Sequence, residues 1–206
     1  MRKIADSTVR RLSLYLRFLE EFEEQGVDTV SSEALATRGG TTSAQVRKDL
    51  SFFGSFGKRG LGYSVNELAS RLRDILGLGK TYRVAVVGAG NIGVALVHFH
   101  GFERHGFHVV SLYDTDPKKI GKKRGSLVVR DQREIEDDVA RESIDMAILV
   151  TPASAAQDLV ERLVKLGVKA FLNFAPVQLR VGDDVVVKNV SLALELEALS
   201  YGLRNR

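Results

Sequence analysis

Three glycines carry the first chemistry in this chain. In VAVVGAGNIGVAL, residues 84–96, a buried-strand run breaks at Gly88, Gly90 and Gly93 and then resumes as a helix. At that spacing Gly88 permits a tight turn, Gly90 the close approach of a pyrophosphate, and Gly93 close packing of helix on strand. Ala89, Asn91 and Ile92 complete the loop, and the helix start offers free N–H groups and partial positive charge to phosphates. The next strand, HVVSLYD, ends in Asp114, about 20 residues further on, where an acid can bind both ribose hydroxyls. An acid there favours NAD(H), because a 2′-phosphate would meet a carboxylate. Lys118 and Lys119 are the contrary signal but weigh less than the strand-terminal acid, and the bland alternative for Asp114 is a capping or turn residue in DTDP. Thr151-Pro152 in ILVTPASAAQ and Asn173 in NFAP end two further strands, on the side where open parallel sheets hold ligands. Each is equally readable as a simple connection.

Groups for turnover are missing around this loop. His98, His100, His105 and His108 lie on the first helix after it or just beyond, and read as surface or core residues. No histidine pair with carboxylates suggests a metal, no Ser or Lys stands in a nucleophile signature, and the chain has no cysteine. No catalytic and no metal-ligating residue is therefore expected. Binding without turnover is the natural reading.

A second constellation lies upstream. Residues 38–60 carry Arg38, Arg47, Lys48, Lys58 and Arg59 against Asp49 alone, a local excess equal to the whole chain's net charge of +4. In TTSAQVRKDLSFF, Val46, Leu50 and Phe53 recur at helical spacing and should face a core. Gln45, Arg47 and Lys48 then point outward, with Ser43 in the first turn. Glutamine suits adenine edges, arginine guanine edges and lysine phosphates. GSFGKRGLGYSV, residues 54–65, reads as a hairpin with a basic tip at Lys58-Arg59, and a helix followed by such a hairpin is a winged helix. A monomer of this kind reads few base pairs, so a homodimer on palindromic double-stranded DNA is expected. A solvated basic surface and a helical protein-interaction module are the bland alternatives, and the basic window argues against the second.

The elements that must position these groups follow from patterning. A helix beginning at Asp6 or Ser7 has Val9, Leu12, Leu16 and Leu19 on one stripe and ends at Gly26. A short helix follows Ser31 or Ser32, a third is capped by Thr41 or Thr42, and a fourth starts at Asn66 and runs into the linker GLGK, residues 77–80. Strands are expected at 83–87, 107–113, 126–129, 145–150, 169–173 and 184–188, and helices at 91–104, 132–141 and 154–166. The fold class is α/β: a winged helix-turn-helix domain (1–78), a Rossmann-type doubly wound parallel sheet (79–190) and a C-terminal helix (191–206). In that last helix Leu192, Leu196, Leu199 and Leu203 form a stripe that must pack on its own domain or on another subunit. No apolar run approaches the roughly 20 residues that span a bilayer, and residues 1–25 lack a cleavage signal. A cytoplasmic location without a membrane partner is expected.

With both halves in view, the chain resembles the redox-sensing transcriptional repressor family Rex, essentially end to end. The resemblance rests on SSEALA, AQVRKDLSFFGSFGKRGLGY, GAGNIG, YDTDPKKIG, TPASAAQ and NFAP, and on the leucine-rich terminal helix. It implies a homodimer that exchanges its last helices, binds operators while NAD⁺ is abundant, and is released by NADH. By position it puts Gln45, Arg47 and Lys48 on the recognition helix, Lys58 and Arg59 at the wing tip, and Gly88–Gly93 with Asp114 at the adenosine half of the cofactor. Some members carry a tyrosine where Phe99 stands and an aspartate where Ser191 stands, a polar pair that helps couple nicotinamide state to domain angle. This chain has neither, although it has Arg17. The rival readings are an NAD-dependent oxidoreductase and a CoA-binding domain of the acyl-CoA ligase type, each with an N-terminal extension.

Overall fold

Leu12, Leu16 and Leu19 bury one face of α1 (Asp6–Glu24) as their spacing requires, but Val9 is exposed and Thr8 and Tyr15 complete the buried face instead. The computed structural model describes residues 4–54, 56–57 and 60–205, in two compact units, one ending at Lys80 and the other starting at Thr81. In the first unit α1 is followed by β1 (Thr29–Val30), α2 (Ser32–Arg38), α3 (Ser43–Ser51), β2 (Tyr63–Ser64) and α4 (Val65–Ile75). Local chemistry sets the helix starts: the Ser31 hydroxyl accepts from the Ala34 N–H and the Thr42 hydroxyl from the Gln45 N–H, each at 3.1 Å. Ser64 caps α4 in the same way, so that helix begins one residue before Asn66. Leu12, Tyr15, Leu19, Leu35, Val46, Leu50, Leu68 and Leu72 close a single core around which the four helices pack.

The basic tip of the hairpin expected within 54–65 lies outside the described residues, and on its flanks a Cβ on Gly57 would lie 2.9 Å from the Gly62 carbonyl oxygen. The segment's strand β2 runs antiparallel to β1, with Thr29 opposite Ser64 and Val30 opposite Tyr63. Gly62 makes this possible: a Cβ there would lie 2.5 Å from the Val30 carbonyl oxygen, and φ is +87°. The partner strand is only two residues long and lies far upstream, beyond the reach of local pattern.

The second unit runs β3 (Tyr82–Val87), α5 (Asn91–Val97), α6 (Gly101–Arg104), β4 (Phe107–Asp114), β5 (Lys123–Arg124), β6 (Leu127–Asp131), α7 (Ile135–Arg141), β7 (Met146–Leu149), α8 (Ala153–Lys165), β8 (Ala170–Asn173), β9 (Val186–Asn189) and α9 (Leu192–Arg204). The strand order is β5-β6-β4-β3-β7-β8-β9, parallel throughout except where β5 folds back on β6. That is the doubly wound arrangement, and the order reverses at β3 between β4 and β7. Side-chain alternation splits the strands between two cores. Ala85, Val87, Ala147 and Leu149 pack with α7 and α8, whereas Val84, Val86 and Ile148 pack on the opposite face with Leu96, Val97 and Phe102 of α5 and α6. The helix expected over 91–104 is broken at 98–100, where Phe99 turns its ring edge-on to Phe102. No helix among the described residues is long and apolar enough to cross a membrane. None of the residues of α9 is buried, and its leucines at 192, 194, 196, 199 and 203 are all exposed.

Candidate nucleotide and DNA-binding sites

The glycine loop sits beyond the carboxyl end of β3, at the switch point of the sheet, and its three glycines meet different surroundings. A Cβ on Gly88 (φ +110°) would lie 2.3 Å from the Val150 carbonyl oxygen, and one on Gly93 1.8 Å from the Gly88 carbonyl oxygen. These two glycines therefore hold the loop, the start of α5 and the end of β7 in direct contact. Gly90 differs: a Cβ there meets nothing within 4 Å, and its backbone (φ −79°, ψ −174°) is open to any residue. It faces free space at the start of α5, which no side chain caps. Asn91 and Ile92 are exposed beside it.

Asp114 ends β4 next to this loop and is almost fully buried. Its Oδ2 accepts from the Ala89 N–H at 2.8 Å and from the Lys119 ammonium at 2.9 Å, and its Oδ1 accepts from the Asp116 N–H at 2.8 Å. Burial opposes ionisation, but the Asp116 N–H, Lys119 and the Ala89 N–H outweigh it and hold the carboxyl below its ordinary value. Asp114 thus acts as a turn residue, and one acceptor position on Oδ1 is left over. Lys119, the contrary signal in the sequence, is paired to this carboxylate. The adjoining cleft, about 680 Å³, is bordered by Gly90, Asn91, His98, Lys119, Lys123 and Arg124. Lys123 and Arg124 escaped the sequence reading because β5, only two residues long, brings them there.

The other strand-end residues divide. Thr151 follows β7 with its hydroxyl buried and unpartnered, and Pro152 precedes α8. The Asn173 amide is occupied within the chain, donating to the carbonyls of Ala175 and Val177 and to Asn189 Oδ1 and accepting from the Ala175 N–H. It shapes the 173–177 loop. Ser191 accepts from the Leu194 N–H and caps α9, a role serine fills as well as aspartate. Among the described residues no cluster of His, Asp and Glu is placed to hold a metal.

In the first unit α3 exposes Arg47 and Lys48, with Ser43 and Gln45 half-buried at its N-terminal end. Arg47 donates to the Ser32 hydroxyl at 3.0 Å, which ties it to the start of α2. Lys58 and Arg59 lie outside the described residues. Asp49 was legible in sequence only as a lone acid in a basic window. It is completely buried, gripped by Arg11 through Nε–Oδ2 at 2.6 Å and Nη2–Oδ1 at 2.8 Å, and it also accepts from the Tyr15 hydroxyl at 3.0 Å. Burial raises its pKa, but hydrogen bonds from Arg11, Gln45 and Tyr15 win, and the carboxyl stays below its ordinary value. Burial and the neighbouring carboxylate push the Tyr15 hydroxyl up to about 12. The missed signal was positional, since Asp49 falls between Val46 and Leu50 on the core face of α3.

Known proteins resemble both units. Residues 3–51 match the family model "Putative DNA-binding protein N-terminus", and residues 79–177 match the CoA binding domain model. The redox-sensing transcriptional repressor Rex of Carboxydothermus hydrogenoformans is 47% identical, covering 98% of this chain and 97% of its own. That of Syntrophobacter fumaroxidans is 44% identical, covering 98% and 96%. Among solved structures, RSP in complex with β-NAD⁺ and operator DNA has a TM-score of 0.92 at 41% identity, covering 98% of this chain and 94% of its own. RSP with β-NADH, at 40% identity, gives 0.87 with 98% and 95% covered. With identity above 40% sustained over nearly its whole length, the chain belongs to the Rex family of redox-sensing transcriptional repressors.

Proposed function

We propose that this chain is an NADH-responsive repressor: a homodimer that binds palindromic operator DNA and lets go when NADH occupies its nucleotide fold. One observation carries the reading. A capped recognition helix with outward Arg47 and Lys48 shares a chain with a switch-point loop in which Gly90, alone of the three glycines, faces open space. Residues 1–78 bind DNA, with Ser43, Gln45, Arg47 and Lys48 on the helix and Lys58 and Arg59 at the wing. Residues 79–190 bind NAD(H) through Gly88–Gly93, Asp114 and the Thr151-Pro152 loop. Residues 191–206 dimerise, since a helix apolar on several sides and buried on none requires a partner. The protein works in the cytoplasm, without a membrane, metal or turnover.

Redox reading must come from the nicotinamide end, because the adenosine halves of NAD⁺ and NADH are identical. NADH stabilises a dimer whose recognition helices no longer match successive major grooves. Moving the population from 1:99 to 99:1 takes a differential affinity of about 5.5 kcal/mol. With Phe99 lacking a hydroxyl and Ser191 capping α9, that coupling runs through contacts other than a tyrosine–aspartate pair.

The match of residues 79–177 to the CoA binding domain model favours one rival, a CoA site in the same loop. The test is a gel shift of an AT-rich palindromic duplex with NAD⁺, NADH, NADPH and CoA, run beside an absorbance assay for NADH oxidation by small aldehydes and ketones. Release by NADH alone, with no oxidation, is the expected result. Displacement of NADH by CoA, or steady oxidation, overturns the proposal.

A further inference from the structure

The basic face of α3 is built over a buried acid. Four hydrogen bonds converge on Asp49: two from the Arg11 guanidinium, one from the Tyr15 hydroxyl, and one from Gln45 Nε2 to Oδ1 at 2.8 Å. The three from α1 fix the carboxylate. The fourth reaches one turn back along α3 to a residue at the edge of the exposed face. An ionised carboxylate only accepts hydrogen bonds, so the Gln45 amide must turn its NH2 group toward Asp49. One amide hydrogen is thereby engaged, and the carbonyl oxygen and the second N–H stay available. An acceptor beside a donor in one plane is the complement of adenine's major-groove edge, which offers N6–H and N7.

We propose that Asp49, braced by Arg11 and Tyr15, is a positioning residue for base recognition, setting the Gln45 amide as a reader of adenine in the major groove. This rests on the repressor reading above and goes a step beyond it. The same bonds also staple α1 to α3, and a purely structural staple predicts a different result.

The experiment uses the full-length protein. Preferred duplexes are selected from a randomised pool, and every single base-pair substitution of the winner is then measured in competition. The wild type should prefer A·T at one position per half-site by roughly 5- to 150-fold. Gln45→Ala should flatten that position alone. Asp49→Asn should flatten the same position, because an asparagine amide can hold Gln45 in either orientation, and the double variant should go no further. Tyr15→Phe keeps the Arg11 pair and serves if Asp49→Asn does not fold; it should flatten the position in part. Placing 7-deazaadenine there removes N7 and should weaken the wild type but not Asp49→Asn. If the Asp49 and Tyr15 variants lose affinity evenly and keep the wild-type preference, the inference fails and the repressor reading stands. A wild-type protein with no sequence preference overturns both.

Discussion

Substituting alanine at each glycine of the loop separates holding the fold from holding the ligand. Gly93→Ala puts a methyl 1.8 Å from the Gly88 carbonyl oxygen, so α5 must withdraw by roughly 1.5 Å to restore ordinary contact. Overpacking of that kind costs about 1–3 kcal/mol, or roughly 2–12 °C in melting temperature. Gly88→Ala adds a left-handed backbone to a similar clash with Val150 and should be as damaging. Gly90→Ala meets nothing and needs no unusual backbone, so it should be neutral or stabilising by about 0.4–1 kcal/mol through the unfolded chain. On the proposed reading of this loop, its methyl would nevertheless stand where the pyrophosphate approaches. Loss of one hydrogen bond to a charged phosphate is worth about 1.5–3 kcal/mol, a 10- to 150-fold weaker NADH affinity. Melting by circular dichroism and NADH titration calorimetry read the two effects separately. Gly90→Ala binding NADH like the wild type, or Gly93→Ala melting like it, would refute this assignment of roles.

Replacing Leu196 and Leu199 with glutamate removes roughly 6–12 kcal/mol of leucine burial across a symmetric pair, so sedimentation should show a monomer at micromolar concentration; an undisturbed dimer would assign the interface elsewhere. Arg11→Ala leaves Asp49 buried without its main partner and should cost about 3 kcal/mol, at the low end for such pairs because Arg11 is partly exposed, read as a lower denaturation midpoint. The Asp49 carboxyl lies below its ordinary value in the fold, so its stabilisation is complete above about pH 3.9 and is lost as pH falls through the folded value. Asp49→Asn should therefore melt with a shallower acid dependence below about pH 4 than the wild type. On the proposed reading Asp114→Ser would remove the carboxylate that meets a 2′-phosphate and free Lys119, so a preference for NADH over NADPH should narrow about tenfold in competition titrations.

Much of the Rossmann unit was legible because its strands are near-continuous apolar runs and its helices carry a regular stripe. Expected and observed strand ends differ by two residues or fewer at β3, β4, β6, β7, β8 and β9. What escaped was short or non-local. β5 has two residues and no periodicity, yet it carries Lys123 and Arg124 to the cleft. β1 and β2 pair across more than thirty residues and left no local mark in either segment. The break between α5 and α6 brings Phe99 edge-on to Phe102, three residues further on, and the apolar stripe running through 91–104 hid it. Gly88, Gly90 and Gly93 were readable as a motif, but only the folded chain separates the two that are pinned from the one that is open. Asp49 looked like a stray charge because its partner, Arg11, lies on another helix 38 residues away.

The measurement that goes most directly to the central claim is operator affinity at fixed salt, by fluorescence anisotropy, with the protein saturated first with NAD⁺ and then with NADH. A redox-reading repressor should bind tightly with NAD⁺ and roughly a hundredfold more weakly with NADH. By linkage, operator binding must then lower the ratio of NADH to NAD⁺ affinity by that same factor. Equal operator affinity in the two cofactor states would contradict that claim.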